Sequence, residues 1–244
     1  MLWPTALLLS IAGSVGGLLT ASLLLVAGRS VRDRVVPWLI SYAVGTLLGA
    51  ALLGLVPQAL EQLAPAAALG ALLVGILTFF VLEKLVLWRH CHEDDGACAV
   101  HKSTATMIIV GDAVHTFVDG VVIAAAALIS LPLGVTTALA VAAHEIPQEA
   151  GDFAVLLASG QSRSRALLLN LMSAAGGLAG AAAMLLFGSE TPAAIPYVLG
   201  FAAGNFLYVA MADLIPTLHR GGVDRNAFRQ FALITMGVLT IVAL

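Results

Sequence analysis

Eight apolar runs occupy almost the whole chain, each near the roughly 20 residues an α-helix needs to cross hydrocarbon. Polar and Pro/Gly-rich breaks predict helices over 4–28, 36–60, 66–89, 104–129, 133–159, 164–188, 193–218 and 227–244. The runs are continuous and do not alternate with polar residues, which excludes a β-barrel of the membrane type. Only 10% of residues are charged and 60% are hydrophobic, against about a quarter charged in an ordinary soluble domain. The expected fold is therefore all-α: a polytopic membrane bundle of eight transmembrane helices.

Basic residues orient this bundle. Arg29, Arg32 and Arg34 lie between the first two runs, Arg89 and Lys102 between the third and fourth, and Arg163 and Arg165 between the fifth and sixth. Arg220, Arg225 and Arg229 follow the seventh, and Lys84 sits one turn inside the same end of the third. The alternate connections, around 61–65, 130–132 and 189–192, contain neither Lys nor Arg. The positive-inside rule then places both termini outside the cytoplasm. Because its arginines follow rather than precede the apolar stretch, the first run reads as a membrane helix and not a cleaved signal. Cys91 and Cys98 both fall in a predicted cytoplasmic loop, so no structural disulfide is expected. The Ala/Leu-rich composition suits a bacterial inner membrane.

The chain reads as a single transmembrane domain, 1–244, interrupted by a His/Cys/acid-rich cytoplasmic loop over 89–103. An internal echo runs through it. Gly45-Thr46-Leu47-Leu48 leading to Leu55-Val56-Pro57 has the spacing of Gly204-Asn205-Phe206-Leu207 leading to Leu214-Ile215-Pro216. The second and seventh helices cross in opposite directions, so the echo predicts an inverted repeat of helices one to three and six to eight around helices four and five. Gly176, Gly177, Gly180, Gly200 and Gly204 provide small surfaces for close helix contact.

Polar groups inside two of the runs carry the chemistry. On helix four, Asp112, His115 and Asp119 are spaced i, i+3, i+7 and share one stripe. Glu145, Gln148 and Asp152 repeat that spacing on helix five, with His144 one turn before Gln148. His115 and His144 both lie near the midplane, where each ionisable group costs on the order of 2.5–3.5 kcal/mol by insertion scales. Imidazole nitrogen with carboxylate oxygen suits Zn²⁺ and related first-row divalent ions, whereas Mg²⁺ and Ca²⁺ favour all-oxygen sites. Two ionised acids, Asp119 and Glu145, would balance one divalent ion held with two neutral histidines. Pro147 cannot donate to the Ala143 carbonyl, which leaves that oxygen free beside His144. A buried structural network or a proton relay is the alternative, and the density of ligands on two neighbouring helices outweighs it.

Around this centre, Asp112 and Asp152 lie toward the cytoplasmic side, as exit residues or as partners of the histidines. Glu149 sits about a third of a turn off the main stripe, placed to coordinate, to bridge a second ion or to orient a ligand. Asp213 on helix seven is a further pathway residue. In the loop, His90, Cys91, His92 and His101 offer metal capture without the spacing of a closed zinc finger.

These residues resemble the ZIP (Zrt/Irt-like) family of divalent-metal transporters. The resemblance rests on Gly111-Asp112, His115 and Asp119-Gly120 in helix four and on His144-Glu145-Ile146-Pro147-Gln148-Glu149 with Gly151-Asp152 in helix five. The latter stretch is similar to the HExPHExGD signature of one branch of that family. The resemblance implies eight helices with both termini outside, and uptake of zinc, or of Fe²⁺, Mn²⁺, Co²⁺ or Cd²⁺, into the cytoplasm. It implies metal contacts at His115, Asp119, His144, Glu145 and Gln148. Three departures accompany it: Thr116 where many members have Asn, Gln148 for a His or carboxylate, and Ser173 where binuclear members carry Glu. They favour one bound ion over two. Zn²⁺ would be substrate rather than catalytic cofactor, and no enzyme activity is expected. The partners implied are the metal ion and the lipid bilayer, with no nucleic acid and with a homodimer left open. An intramembrane zinc protease is the rival, since His144-Glu145 begins HExxH, but that pattern needs His where Gln148 stands. A metal sensor without transport is the other alternative.

Overall fold

The computed structural model describes residues 2–26, 29–88, 102–219 and 225–244. Eight helical spans account for them, with no strand among the described residues. They are α1 (Leu2–Val26), α2 (Arg29–Gly49, continued by a π-helical turn Ala50–Leu55 and by Val56–Gln62) and α3 (Pro65–Trp88). Next come α4 (Lys102–Ile129), α5 (Leu131–Ala158) and α6 (Arg163–Glu190). A 3-10 turn (Pro192–Ala194) opens α7, which runs through Ile195–Tyr208, a second π-helical turn Val209–Leu214 and Ile215–Leu218; α8 is Arg225–Ala243.

The predicted spans are recovered with ends moved by a few residues. The largest change is at α2, which begins at Arg29 rather than 36, so Arg29, Arg32 and Arg34 stand on helix and not in a loop. The helix passes through Pro37, whose missing donor affects only one bond near the start. Six spans are long and apolar enough to cross a membrane by length and composition alone. The other two have plain reasons for falling outside that group. α5 carries His144, Glu145, Gln148, Glu149 and Asp152, and α8 is short. Both pack within the same bundle as the six.

Local chemistry sets the turns around α5. Ser130 adopts an extended conformation and its hydroxyl accepts from the Leu133 amide at 3.3 Å, with Pro132 in the first turn. At the other end, Gly160 takes φ +87°, and the Gly160 and Gln161 amides donate to the Leu157 and Leu156 carbonyls. That pattern closes the helix as a Schellman motif. Ser162 then caps α6 by accepting from the Arg165 amide at 3.3 Å.

Packing is built on paired close approaches. A Cβ at Gly45 would meet the Ile234 carbonyl oxygen at 2.0 Å, and one at Gly237 would meet that of Tyr42 at 2.5 Å, so α2 and α8 touch backbone to backbone. The α3–α7 pair does the same: Gly204 against the Leu72 carbonyl at 2.0 Å and Gly75 against that of Phe201 at 2.1 Å. Tyr42 and Gly45 stand to Phe201 and Gly204 as Leu72 and Gly75 stand to Ile234 and Gly237. Both π-helical turns begin the same distance after Gly45 and Gly204, and each is followed by a proline, Pro57 or Pro216. The bundle therefore contains the inverted repeat read from the echo. α4 and α5 sit in the centre, with α1 and α6 packed on one side and α2 and α7 on the other. The core between them is small-residue dense, with Val122 through Ala126 and Ala140 buried. α3 lies outermost and turns Leu69, Leu73, Leu77 and Phe80 outward.

The α4–α6 contact is the tightest of all. Gly120 would place a Cβ 1.9 Å from the Gly177 carbonyl oxygen, and Gly180 would place one 1.9 Å from that of Phe117. Gly120→Ala should therefore push these helices apart and lower stability by about 1–3 kcal/mol, as overpacking does. At Gly151 a Cβ meets nothing within 4 Å, so Gly151→Ala should be neutral or stabilising by up to about 1 kcal/mol through helix propensity. Unfolding in mixed micelles compares the two; equal stabilities would contradict the close approach.

Candidate metal centre

At the centre of the bundle, α4 contributes His115 and Asp119 and α5 contributes His144 and Glu145. One ligand atom from each lies within 4.8 Å of all the others. Each pair comes from its own helix by simple periodicity: His115 and Asp119 are one turn apart, while His144 and Glu145 are adjacent. What brings the two pairs together is the α4–α5 packing. Gly17 of α1 helps, because any side chain there would strike Cβ of Glu145 at 2.7 Å.

The separations have a chemical meaning. His115 Nε2 is 3.1 Å from His144 Nε2, and each of these nitrogens is 3.4 Å from Asp119 Oδ2. Glu145 Oε1 lies 3.7 Å from the His115 nitrogen and 3.9 Å from that of His144. Four ligands at the usual 2.0–2.1 Å from a tetrahedral zinc ion are about 3.3 Å from one another. Five of the six separations are thus near the edge lengths of a tetrahedron around one first-row ion, the longer two being those to Glu145.

Protonation states follow from the partners. His144 Nδ1 lies 3.1 Å from the Ala140 carbonyl oxygen, which can only accept, so Nδ1 carries hydrogen and donates. In the neutral ring, Nε2 then presents its lone pair to the centre, the arrangement a metal-ligating histidine uses. The side chains of Asp119, His144 and Glu145 are essentially inaccessible, and His115 keeps 12% exposure. Both oxygens of Asp119 and both of Glu145 are buried without a hydrogen-bond partner. Phe79 of α3 and Phe206 of α7 close the sides, edge-on to His115 and His144 at ring distances of 5.5 and 6.1 Å. Imidazole and carboxylate in a dry apolar chamber are a donor set for a partly dehydrated divalent transition metal.

The other sequence candidates lie elsewhere. Gln148, one turn after His144, donates its Nε2 to Asp112 Oδ1 at 3.1 Å. Position 148 is also where a zinc protease would need its second histidine. Thr116 is fully buried and donates its hydroxyl to backbone carbonyls, that of Ser173 on α6 at 2.8 Å being the nearest. Ser173 in turn hydrogen-bonds Asp112. Glu149 is buried beside Asn170, Asp152 is half-buried on α5, and Asp213 is exposed on α7. His90, Cys91, His92 and His101 lie outside the described residues. Two polar residues escaped the sequence reading. Asn170 sits in an otherwise apolar run of α6, and Glu83 of α3 is hydrogen-bonded by Tyr208 of α7. The signal for each was the same one used on α4 and α5, a polar residue within a membrane span.

Comparison with known proteins agrees with this architecture. The family model described as ZIP Zinc transporter matches residues 88–244. Zinc transporter ZIP13 of Pongo abelii is 31% identical across 98% of this chain and 77% of its own length. Human zinc transporter ZIP4 is 45% identical over 54% of the chain and zinc transporter ZIP10 of Danio rerio 39% over 57%; the matches take in only 20% and 17% of those longer proteins. From the spans, the buried cluster and these likenesses together, the chain is an integral membrane protein that belongs to the ZIP zinc transporter family.

Proposed function

We propose that this protein moves divalent transition-metal ions, zinc foremost, across its membrane into the cytoplasm. The observation that carries the reading is the buried set of His115, Asp119, His144 and Glu145, with ligand atoms within 4.8 Å and carboxylates that have no other partner. An ion reaches the set from the outer side by way of His115, the one partly accessible ligand, and sheds water as the imidazoles and carboxylates replace it. It leaves past Asp112, Gln148 and Asp152 toward the cytoplasm. The chain has no GxxxxGK[ST] motif, so the ion gradient and helix movement, rather than ATP, drive the cycle in this reading. Direction rests on the arginines and lysines clustered at one end of the helices, and a bacterial inner membrane rests on composition alone.

Three measurements test it. In proteoliposomes, saturable Zn²⁺ flux should be lost in His144→Ala and in Asp119→Ala; normal flux in both would dismiss the site. Second, ligands must shed protons before they bind metal. Protons therefore compete with the ion at the two histidines and two carboxylates, and Zn²⁺ affinity of the purified protein should fall as pH is lowered. An affinity indifferent to acid would exclude these ligands. Third, with both termini outside, a single cysteine placed at Ala64 should react with impermeant thiol reagent from the outer side and one at Ser162 should not, in a chain whose Cys91 and Cys98 are replaced by Ser. The reverse labelling would overturn the orientation.

A further inference from the structure

Away from the metal centre, a basic and aromatic cluster faces outward where α2 and α8 begin. These two helices run parallel: Tyr42 and Gly45 lie against Gly237 and Ile234, and Gly49 lies against Val238 and Ile241. Their first turns are therefore side by side. The same register brings Arg229 of α8 to Trp38 of α2, with the guanidinium carbon 5.1 Å from the centroid of the indole ring. That is a cation–π contact. Arg34 precedes Trp38 by one turn on α2, so the two are neighbours on one face of that helix. Two arginines thus border one indole.

Hydropathy sets the depth of this cluster. The apolar span of α2 starts at Arg34, and the apolar part of α8 starts at Ala227. Arg34, Trp38 and Arg229 therefore stand at the boundary between headgroups and hydrocarbon, the level at which indole rings and arginines anchor membrane helices. All three are exposed, as are Phe228 and Phe231 of α8. Among the described residues neither guanidinium has an ion pair or a hydrogen-bonded acceptor. The ring contact localises that of Arg229 and supplies no acceptor oxygen, although each guanidinium carries five N–H donors in a fixed fork.

We infer that Arg34, Trp38 and Arg229 form a binding site for the headgroup of an anionic phospholipid such as phosphatidylglycerol. Phosphate oxygens match the guanidinium fork, and the fork is weakly hydrated enough to meet them at a membrane surface. Phe228 and Phe231 offer apolar surface to the acyl chains. A soluble acidic partner would have to reach these groups through the headgroup layer, whereas a lipid is already at their depth. One bound headgroup bridges the first turns of α2 and α8. Neither helix contributes to the four-ligand cluster, so the site stands apart from the transport reading.

Trp38 itself reports on the site. With Trp3→Phe and Trp88→Phe the full chain keeps a single indole. It is reconstituted in phosphatidylcholine vesicles in which a small, fixed share of the lipid carries bromine on its acyl chains, a contact quencher of indole fluorescence. Brominated phosphatidylglycerol should quench as strongly as an about five-fold larger share of brominated phosphatidylcholine, the scale of one arginine's attraction to an anionic surface. Emission in unbrominated lipid is the reference for each variant, so loss of the ring contact alone does not move this ratio. Arg34→Gln with Arg229→Gln should bring the ratio to about one. Arg163→Gln with Arg165→Gln, which removes as much charge from the start of α6, should leave it unchanged. Equal quenching by the two lipids in the single-tryptophan chain would overturn the proposal. An equal loss in the Arg163/Arg165 variant would also overturn it, by reducing the effect to surface charge. Added inorganic phosphate should not displace the lipid; displacement would assign the arginines to a soluble anion instead. Should the double variant at 34 and 229 fail to fold, Arg34→Gln alone decides, and an unchanged ratio would overturn the site.

Discussion

Burying Asp119 and Glu145, with four oxygens that find no donor, is the constraint to which the rest of the molecule answers. A carboxylate in hydrocarbon costs several kcal/mol when alone, and two of them with two imidazoles amount to a cage for positive charge. Such a cage keeps its shape only if every neighbouring helix is held close. The glycine contacts supply that closeness, bringing α4 and α6 backbone to backbone beside the cluster and letting α1 lie against Glu145. The Ala140 carbonyl adds a finer control by fixing which nitrogen of His144 faces inward.

The inverted repeat explains how two helices come to present histidine at one depth. The α2–α8 contact is reproduced in α3–α7, π-helical turn and proline included. In the centre, Gly17 of α1 faces Glu145 while Gly176 of α6 faces Thr116. By that correspondence His144 matches His115, Glu145 matches Thr116 and Gln148 matches Asp119. The frame is symmetric and the chemistry is not. Each half supplies one carboxylate to the upper cluster, but from unlike positions, and the amide of Gln148 is left to hold Asp112 in the layer below.

Much of the architecture was legible because a membrane leaves so few solutions. An apolar run of about 20 residues must be helical, since hydrocarbon offers no partner for an unpaired backbone group. The α2 boundary was misplaced because Arg29, Arg32 and Arg34 are good helix formers that composition alone assigns to a loop. His115, Asp119, His144 and Glu145 could be nominated from spacing, because period 3.6 puts each pair on one face. Gln148 sat on the same stripe as Glu145 and was nominated with them; in the structure its amide reaches Asp112. Spacing gives a direction from the helix axis; it does not say which neighbour a flexible side chain meets. Asn170 and Glu83 were passed over for the same reason, as their significance lies in partners on other helices.

Sequence by itself determined the helical spans, the repeat and the placing of the two histidines midway along α4 and α5. Each of these depends on hydropathy, charge placement or helical period, all of which are local properties of the chain. Tertiary structure alone decided that four side chains bring ligand atoms within 4.8 Å of one another, that the Gln148 amide reaches Asp112 and that the Thr116 hydroxyl reaches the Ser173 carbonyl. Those outcomes depend on how closely and at what rotation the helices pack. That is set by carbonyl oxygens lying against glycines far away in the chain, a relation no periodicity encodes.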